Sequence, residues 1–350
     1  MRKEAFPDSL TPFENMFGEK IHLISLMEDV AGGNEWHTTA LFDLLEGRAD
    51  VQIWSQCAPH TAFAERYPIK RLAPHRLRFP WRGTFVFNGL FFEYGAWLHL
   101  ALPRRVVVIC NTYDEESFSL PDRLDEIARS KSNPRVDFVF VSEMLKRKVG
   151  RPGLVQPSPV DLDRFAPATG DEATGDEAAP GRAFTIGRLS RDVPCKHHWP
   201  DRVLYRRLAQ AGCRIKIMGG TCLRPDVNGA SERLELLPVG TEDAAAFLQK
   251  LDCFYYRTGA DWLEPFGRVV AEAMACGLPV VCHDRGGYTE LIEHGRNGFL
   301  FDTRDEAAEL LMRLRRNPGL RASIGAAARQ TVEAVYSRER RERLAAFYMS

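Results

Sequence analysis

Glu264 and Glu272 bracket a run, Glu264-Pro265-Phe266-Gly267-Arg268-Val269-Val270-Ala271-Glu272-Ala273-Met274-Ala275-Cys276-Gly277, that reads as a loop entering a helix. Pro265 suits the first turn of a helix, where its missing N–H costs nothing, and Gly267 lets another molecule approach the backbone. The unpaired amides and positive dipole end of a helix N-terminus favour an anion such as a diphosphate. Glu264 in the loop and Glu272, about one and a half turns into the helix, are suited to accept hydrogen bonds from hydroxyl groups. An anion and hydroxyls held together describe a nucleotide carrying a sugar. Two glutamates at this spacing, taken alone, are equally the solvated face of an alanine-rich helix that leads into a buried strand, Pro279-Val280-Val281-Cys282.

The elements that position this run are short β-rich apolar segments alternating with helical patterns, which argues for parallel α/β architecture. Ile21 to Leu26 reads as a strand, Gly32-Gly33 as a tight loop, Asn34 to Gly47 as a helix and Val51 to Trp54 as the next strand. Further strands are expected at Thr84–Phe87, Arg105–Cys110 and Val136–Val141, completing one Rossmann-like half. Residues 168–182 repeat Ala-Thr-Gly-Asp-Glu and hold almost nothing to bury, so they read as a flexible connector. A second series follows: strand Ala183–Ile186, helix Asp201–Ala211, strand Arg214–Met218, helix Glu242–Leu251 and strand Phe254–Tyr256. Two halves imply a cleft, and ligands in such sheets sit beyond the carboxyl ends of strands. Loops after strands therefore become candidate sites. Gly32 and Gly33 bring amides close to a phosphate or simply make a turn, Gly219 follows Met218, and Arg188 with Lys196 can neutralise a leaving diphosphate.

The whole string from Glu264 to Val281, with Gly286-Gly287-Tyr288-Thr289-Glu290 and Asn297-Gly298-Phe299-Leu300, resembles the paired-glutamate signature of retaining family 4 glycosyltransferases. The resemblance implies a GT-B fold: two Rossmann-like domains facing a central cleft. Its domains would be an acceptor domain over 1–167, the linker 168–182, a nucleotide-sugar domain over 183–336, and a helix over 337–350 that crosses back to the first domain. It implies retaining, metal-independent transfer of a hexose from a UDP- or GDP-sugar to a glycan or lipid-linked acceptor, with no cofactor beyond that donor. Glu264 would hold sugar hydroxyls and Glu272 the ribose. Arg188 and Lys196 would stabilise the departing diphosphate, helped by the backbone around Phe266, Gly267 and Arg268, while Gly32, Gly33 and Gly219 would line the nucleotide site.

The chain departs from the family pattern in two places. The Arg188-to-Lys196 loop is long, and Lys196 precedes His197-His198 instead of glycine. Near Asn111-Thr112-Tyr113-Asp114, where many relatives present a histidine to the reacting sugar, none is found. Asn111 and Asp114 are candidates to meet the acceptor, and equally to cap a helix starting near Glu115. Two other readings stay open: a GT-B sugar-nucleotide 2-epimerase and, because of the missing histidine, a sugar-nucleotide-binding protein without catalysis.

Other signals are weaker. Asp161-Leu162-Asp163 looks like a metal clamp but matches the segment that closes the first domain in the same family, and Cys195 with His197 and His198 lacks a fourth ligand, so no metal site is expected. Net charge is zero over 350 residues, which offers nucleic acid no global attraction. The eight cysteines are scattered with no Cys-x-x-Cys pair, which together with a polar N-terminus suggests reduced thiols and the cytoplasm. Residues 66–92 carry Arg66, Lys70, Arg71, Arg76, Arg78 and Arg82 among seven aromatics and no acid. That composition suits peripheral contact with an anionic membrane or a lipid diphosphate, or a plain solvated surface over fold interior. A membrane span from Thr84 to Leu102 is disfavoured by Asn88, Glu93 and His99.

Overall fold

Strands form where β-branched and aromatic residues run together, because both faces of a parallel sheet are covered and the runs need not alternate with polar residues. The computed structural model describes residues 20–30, 32–89, 95–112, 119–168, 182–224 and 232–350. The first series is β1 (Lys20–Ser25), α1 (Gly33–Leu45), β2 (Asp50–Ser55), α2 (Thr61–Ala64), β3 (Ile69–Arg71), β4 (Thr84–Asn88), α3 (Trp97–Ala101), β5 (Arg105–Cys110), α4 (Leu120–Ala128), β6 (Arg135–Phe140), α5 (Glu143–Val149) and β7 (Leu154–Val155). The sheet order is β3-β2-β1-β4-β5-β6-β7, and each pairing from β3 to β5 is parallel. The order turns back between β1 and β4. There Asn88 donates to Asn34 O at 2.6 Å and to Thr38 Oγ1 at 2.8 Å, fastening the end of β4 to the start of α1.

The second series is β8 (Thr185–Leu189), α6 (Asp201–Gln210), β9 (Arg214–Met218), β10 (Leu234–Leu237), α7 (Ala244–Gln249), β11 (Cys253–Tyr256), α8 (Arg268–Ala275), β12 (Val280–His283), β13 (Phe299–Phe301), α9 (Arg304–Arg316), α10 (Pro318–Val335) and α11 (Arg338–Tyr348). Its order is β10-β9-β8-β11-β12-β13, parallel throughout. One face buries Ile186, Ile215, Tyr255 and Val281 under Leu204 and Leu208 of α6 and Leu311 and Leu314 of α9. Each such side chain contributes about 1.5–3 kcal/mol on burial. The switch point lies between β8 and β11, so the loops after Leu189 and Tyr256 flank the crevice that a doubly wound sheet offers to ligands. By packing, the chain groups into two units. Asn111–Tyr113 and Phe140–Arg340 form the second, while Arg341–Ser350 belong with the first.

Several boundaries differ from expectation. β8 starts and ends later than Ala183–Ile186 because Gly187 does not break it: a methyl group there would fall 2.2 Å from Leu251, so close packing keeps glycine inside the strand. Pro265 is not in the first turn of α8, which begins at Arg268 with Gly267 as its N-cap. The helix following β5 begins, within the described residues, at Leu120 with Ser119 accepting from Asp122 N, and the helix start expected near Glu115 lies outside the described residues. Asp114 lies outside the described residues, as does the connector at 169–181. Thr84–Leu102 contains β4 and α3, and no helix among the described residues is long and apolar enough to cross a membrane.

Candidate functional site

At the switch point of the second unit, two side chains converge on one oxygen of a third. Lys196 Nζ lies 2.6 Å from Glu264 Oε2, and Tyr256 OH donates to the same oxygen at 2.8 Å. Tyr256 ends β11, Glu264 follows eight residues later, and Lys196 comes from the long loop after β8. Glu264 is only 8% exposed and Lys196 likewise 8%. Burial by itself raises the Glu264 carboxyl's pKa, but the Lys196 charge and the hydrogen bonds from Lys196 and Tyr256 outweigh it and hold the group below its ordinary value. The Glu264 carboxylate is thus held ionised although it is buried. The ammonium also stands 4.5 Å from the centre of the Trp262 ring, a cation–π contact.

Arg188, 1% exposed, is not a free cation at this site. Its guanidinium donates to Lys196 O and Arg257 O and lies 4.8 Å from the Tyr256 ring centre. It therefore ties the Lys196 loop to the end of β11. His197 strengthens the same loop. Burial first, then the Arg188 charge, lowers its pKa to about 3. The neutral ring has to donate from Nε2, since its 2.8 Å partner Gly219 O can only accept. Gly219 is packed too closely to be replaced: with φ of +79°, a Cβ would fall 1.8 Å from Ser190 O. Asp192 closes the arrangement by accepting from Thr221 N at 3.2 Å and Cys222 N at 2.9 Å.

Glu264 continues into Pro265, buried Phe266 and Gly267, whose φ of +81° is left-handed. A Cβ on Gly267 would meet Tyr288 at 2.7 Å, so both backbone and packing require glycine. α8 then starts with Arg268, whose Nε pairs with Glu272 Oε1 at 3.0 Å, one turn on. Behind this run lies a backing layer. Gly287 N donates to Glu264 O at 2.9 Å, and Ser142 Oγ donates to Pro265 O at 2.6 Å. Glu290 accepts from Glu143 N at 2.9 Å and Met144 N at 2.6 Å, neutralising the start of α5. The motif residues Gly286 to Glu290 therefore buttress the glutamate loop.

In the first unit, Gly32 is the N-cap of α1 and Gly33 its first residue. A Cβ on Gly32 would fall 2.1 Å from Glu35 Oε2, so a carboxylate already lies against this loop. Burial, with Asp29 and Glu28 adding to it, holds the Glu35 carboxyl above its ordinary pKa. The space beside Gly33 is open. Asn111 lies just beyond β5, half-buried. Asp161, the first acid of the Asp-x-Asp, accepts from Asp163 N at 3.1 Å and Arg164 N at 3.0 Å and shapes its own turn.

The structure thus brings together Glu264, Lys196 and Arg188, with Phe266, Gly267, Arg268 and Glu272 continuing from Glu264. Tyr256, Trp262, Ser142, His197 and Glu290 also belong to the arrangement. Of these, Glu290 lies in the Gly286–Glu290 run and His197 in the long loop that the sequence singled out, whereas the roles of Tyr256, Trp262 and Ser142 carried no signal in it.

Residues 230–331 match the family model described as "Glycosyl transferases group 1". The chain is 28% identical to a D-inositol 3-phosphate glycosyltransferase of Salinispora arenicola over 62% of its length and 52% of that protein. It is 32% identical to a GDP-mannose-dependent monoacylated alpha-(1-6)-phosphatidylinositol monomannoside mannosyltransferase of Corynebacterium glutamicum over 52% of each. The chain spans about half the length of these curated relatives. Among solved structures, Anabaena HepE in complex with UDP and glucose superposes with a TM-score of 0.72 at 18% identity, covering 94% of this chain and 98% of HepE. The chain has the GT-B fold, and residues 230–331 of its second unit are similar to group 1 glycosyl transferases.

Proposed function

We propose that the chain is a retaining, metal-independent glycosyltransferase that moves a hexose from a UDP- or GDP-sugar to a glycan or lipid-linked acceptor, in peripheral contact with a membrane. The observation that carries this reading is the buried Lys196–Glu264–Tyr256 group, set three residues before the left-handed Gly267 that opens α8.

Lys196 supplies fixed positive charge to the departing diphosphate, in a site where water is scarce and charge acts strongly. One of its three protons faces Glu264, which leaves the others for phosphate oxygens. The amides of Gly267 and Arg268 at the start of α8 add to that charge. Glu264 keeps Oε2 on Lys196 and Tyr256 and offers Oε1 to sugar hydroxyls. Glu272, with Oε1 on Arg268, takes the ribose. Arg188 positions Lys196 through the Lys196 carbonyl. As the glycosidic C–O bond breaks, its electrons leave with the diphosphate, and the acceptor hydroxyl attacks the oxocarbenium-like carbon from the face just vacated. Its proton passes to a departing phosphate oxygen, so that configuration is retained and no cofactor takes part.

Release of UDP or GDP from a panel of nucleotide sugars, with and without polyprenyl-diphosphate sugars, tests this. Glu264→Gln should lose transfer with modest loss of nucleotide affinity, and Glu272→Ala should mainly weaken binding. Turnover without acceptor would support the epimerase instead. Tight binding with no turnover in any mixture would leave a binding protein.

A further inference from the structure

The loop that joins β11 to Glu264 runs from Arg257 to Leu263 and folds back on itself. Trp262 N donates to Gly259 O at 3.2 Å and Thr258 Oγ1 donates to Trp262 O at 3.1 Å, so the backbone on both sides of the indole is fixed. The same turn is fastened to the loop that carries Lys196. Gly259 N donates to Cys195 O at 2.9 Å, and a Cβ on Gly259 would fall 3.0 Å from Cys195 O and 3.3 Å from His197 O, so a side chain there would crowd the Lys196 loop. Arg188 completes the fastening by donating to Lys196 O and Arg257 O, one carbonyl from each loop.

This doubly tied turn sets the Trp262 ring against the Lys196 ammonium, whose Nζ lies 4.5 Å from the ring centre and 2.6 Å from Glu264 Oε2. A lysine head is a point charge on a flexible stem, and here a π face and a carboxylate oxygen both hold it. The indole N–H is buried and reaches no hydrogen-bond acceptor among the described residues. It lies close to Glu264 all the same. Burial raises the Glu264 pKa, and Lys196 first, then Tyr256 and this N–H, draw it down. A tryptophan kept only to fill a core would be fully buried with its N–H satisfied, since an unmade bond there costs free energy. Trp262 is half-buried and its N–H is unsatisfied. Its placement follows the ammonium and the carboxylate instead.

We infer that Trp262 is a positioning residue for the nucleotide diphosphate: its ring covers one side of the Lys196 ammonium and so aims the protons not given to Glu264 at the phosphate oxygens. The inference rests on the transferase reading, in which Lys196 meets the diphosphate. Trp262 acts through Lys196 and takes no part in bond breaking. Its N–H, close to Glu264, keeps that carboxylate in place as the partner of the ammonium.

The test is titration calorimetry of the full chain with UDP and with GDP, on the parent, Trp262→Leu and Trp262→Phe, each also combined with Lys196→Met. Trp262→Leu should weaken nucleotide binding about tenfold, the range of a desolvated cation–π contact. Trp262→Phe keeps a ring face for the ammonium and should come within about threefold of the parent. In the Lys196→Met background the effect of Trp262→Leu should disappear, because the two residues act as one unit. Should Trp262→Leu fail to fold, Trp262→Gln, which keeps an N–H without a ring, takes its place with the same expected loss. A residue that only stabilised the fold would weaken binding equally with and without Lys196, and that result would overturn the inference. A parent that binds neither UDP nor GDP would overturn the transferase reading and this role with it, whereas parent binding that Trp262→Leu leaves unchanged would overturn the role alone.

Discussion

Replacing Lys196 by Met removes the ammonium 2.6 Å from Glu264 Oε2 and leaves the buried carboxylate with Tyr256 as its remaining partner. Removing one member of a buried pair typically costs about 3–5 kcal/mol if the survivor stays charged. Glu264 has an alternative, which is to take up a proton. From the ordinary value of 4.5, protonation near pH 7 costs about 3.4 kcal/mol, at roughly 1.36 kcal/mol per unit. That cost caps the destabilisation near neutrality and vanishes near the ordinary pKa.

The sign is opposite in the two proteins. In the parent, the folded Glu264 pKa is depressed, so its contribution is present above 4.5 and is lost as pH falls through the lower folded value. In Lys196→Met the folded pKa is raised, so the fold is unpenalised below the ordinary value and loses stability as pH rises. Denaturant unfolding should therefore show a gap of about 3 kcal/mol at neutral pH that shrinks below about 1 kcal/mol at pH near 4.5. Lys196→Met with Glu264→Gln, which neutralises both groups, should recover most of the neutral-pH loss. A gap independent of pH, or a double variant no more stable than the single one, would refute the electrostatic account of this pair.

Glu290→Ala should uncap α5 and loosen the Pro265 backing, lowering kcat more than it raises KM, whereas Glu290→Asp should restore part of the rate. Gly267→Ala forces a side chain into left-handed backbone and against Tyr288, costing about 1–3 kcal/mol by thermal unfolding and weakening nucleotide binding by titration calorimetry. His22 is buried with Nδ1 accepting from Trp54, and burial followed by the Lys20 charge lowers its pKa to about 4. Because the fold prefers the neutral ring, stability is full above 6.5 and falls by about 3.4 kcal/mol as pH drops to about 4. Unfolding followed by denaturant across that range should show the decline in the first unit, and His22→Gln should flatten it.

Most strands are legible because Val106 to Ile109 or Phe254 to Tyr256 leave no other way to bury their surface. Strand ends are less so. β8 runs on through Gly187 because Leu251, 64 residues later, fills the space a side chain would need, and no local pattern reports that. The Glu264 run announces itself by residue type, while its supports do not. Ser142 reaches Pro265 across 123 residues and Glu290 reaches Glu143 across 147. The Gly32-Gly33 loop shows the converse. Two glycines before a helix suggest an anion site, yet Glu35 supplies a carboxylate from within.

The link from Glu290 to the amides of Glu143 and Met144 also bears on how the chain is made. These amides leave the ribosome 147 and 146 residues ahead of their acceptor, an interval of about 7–30 s at ordinary synthesis rates. Until Glu290 emerges, α5 has Ser142 as its cap, through a 3.1 Å bond to Leu145 N, and only seven residues of helix to defend. The start of α5 thus acquires its second cap late, and a nascent chain stalled before residue 290 should present the amides of Glu143 and Met144 to water and to chaperones.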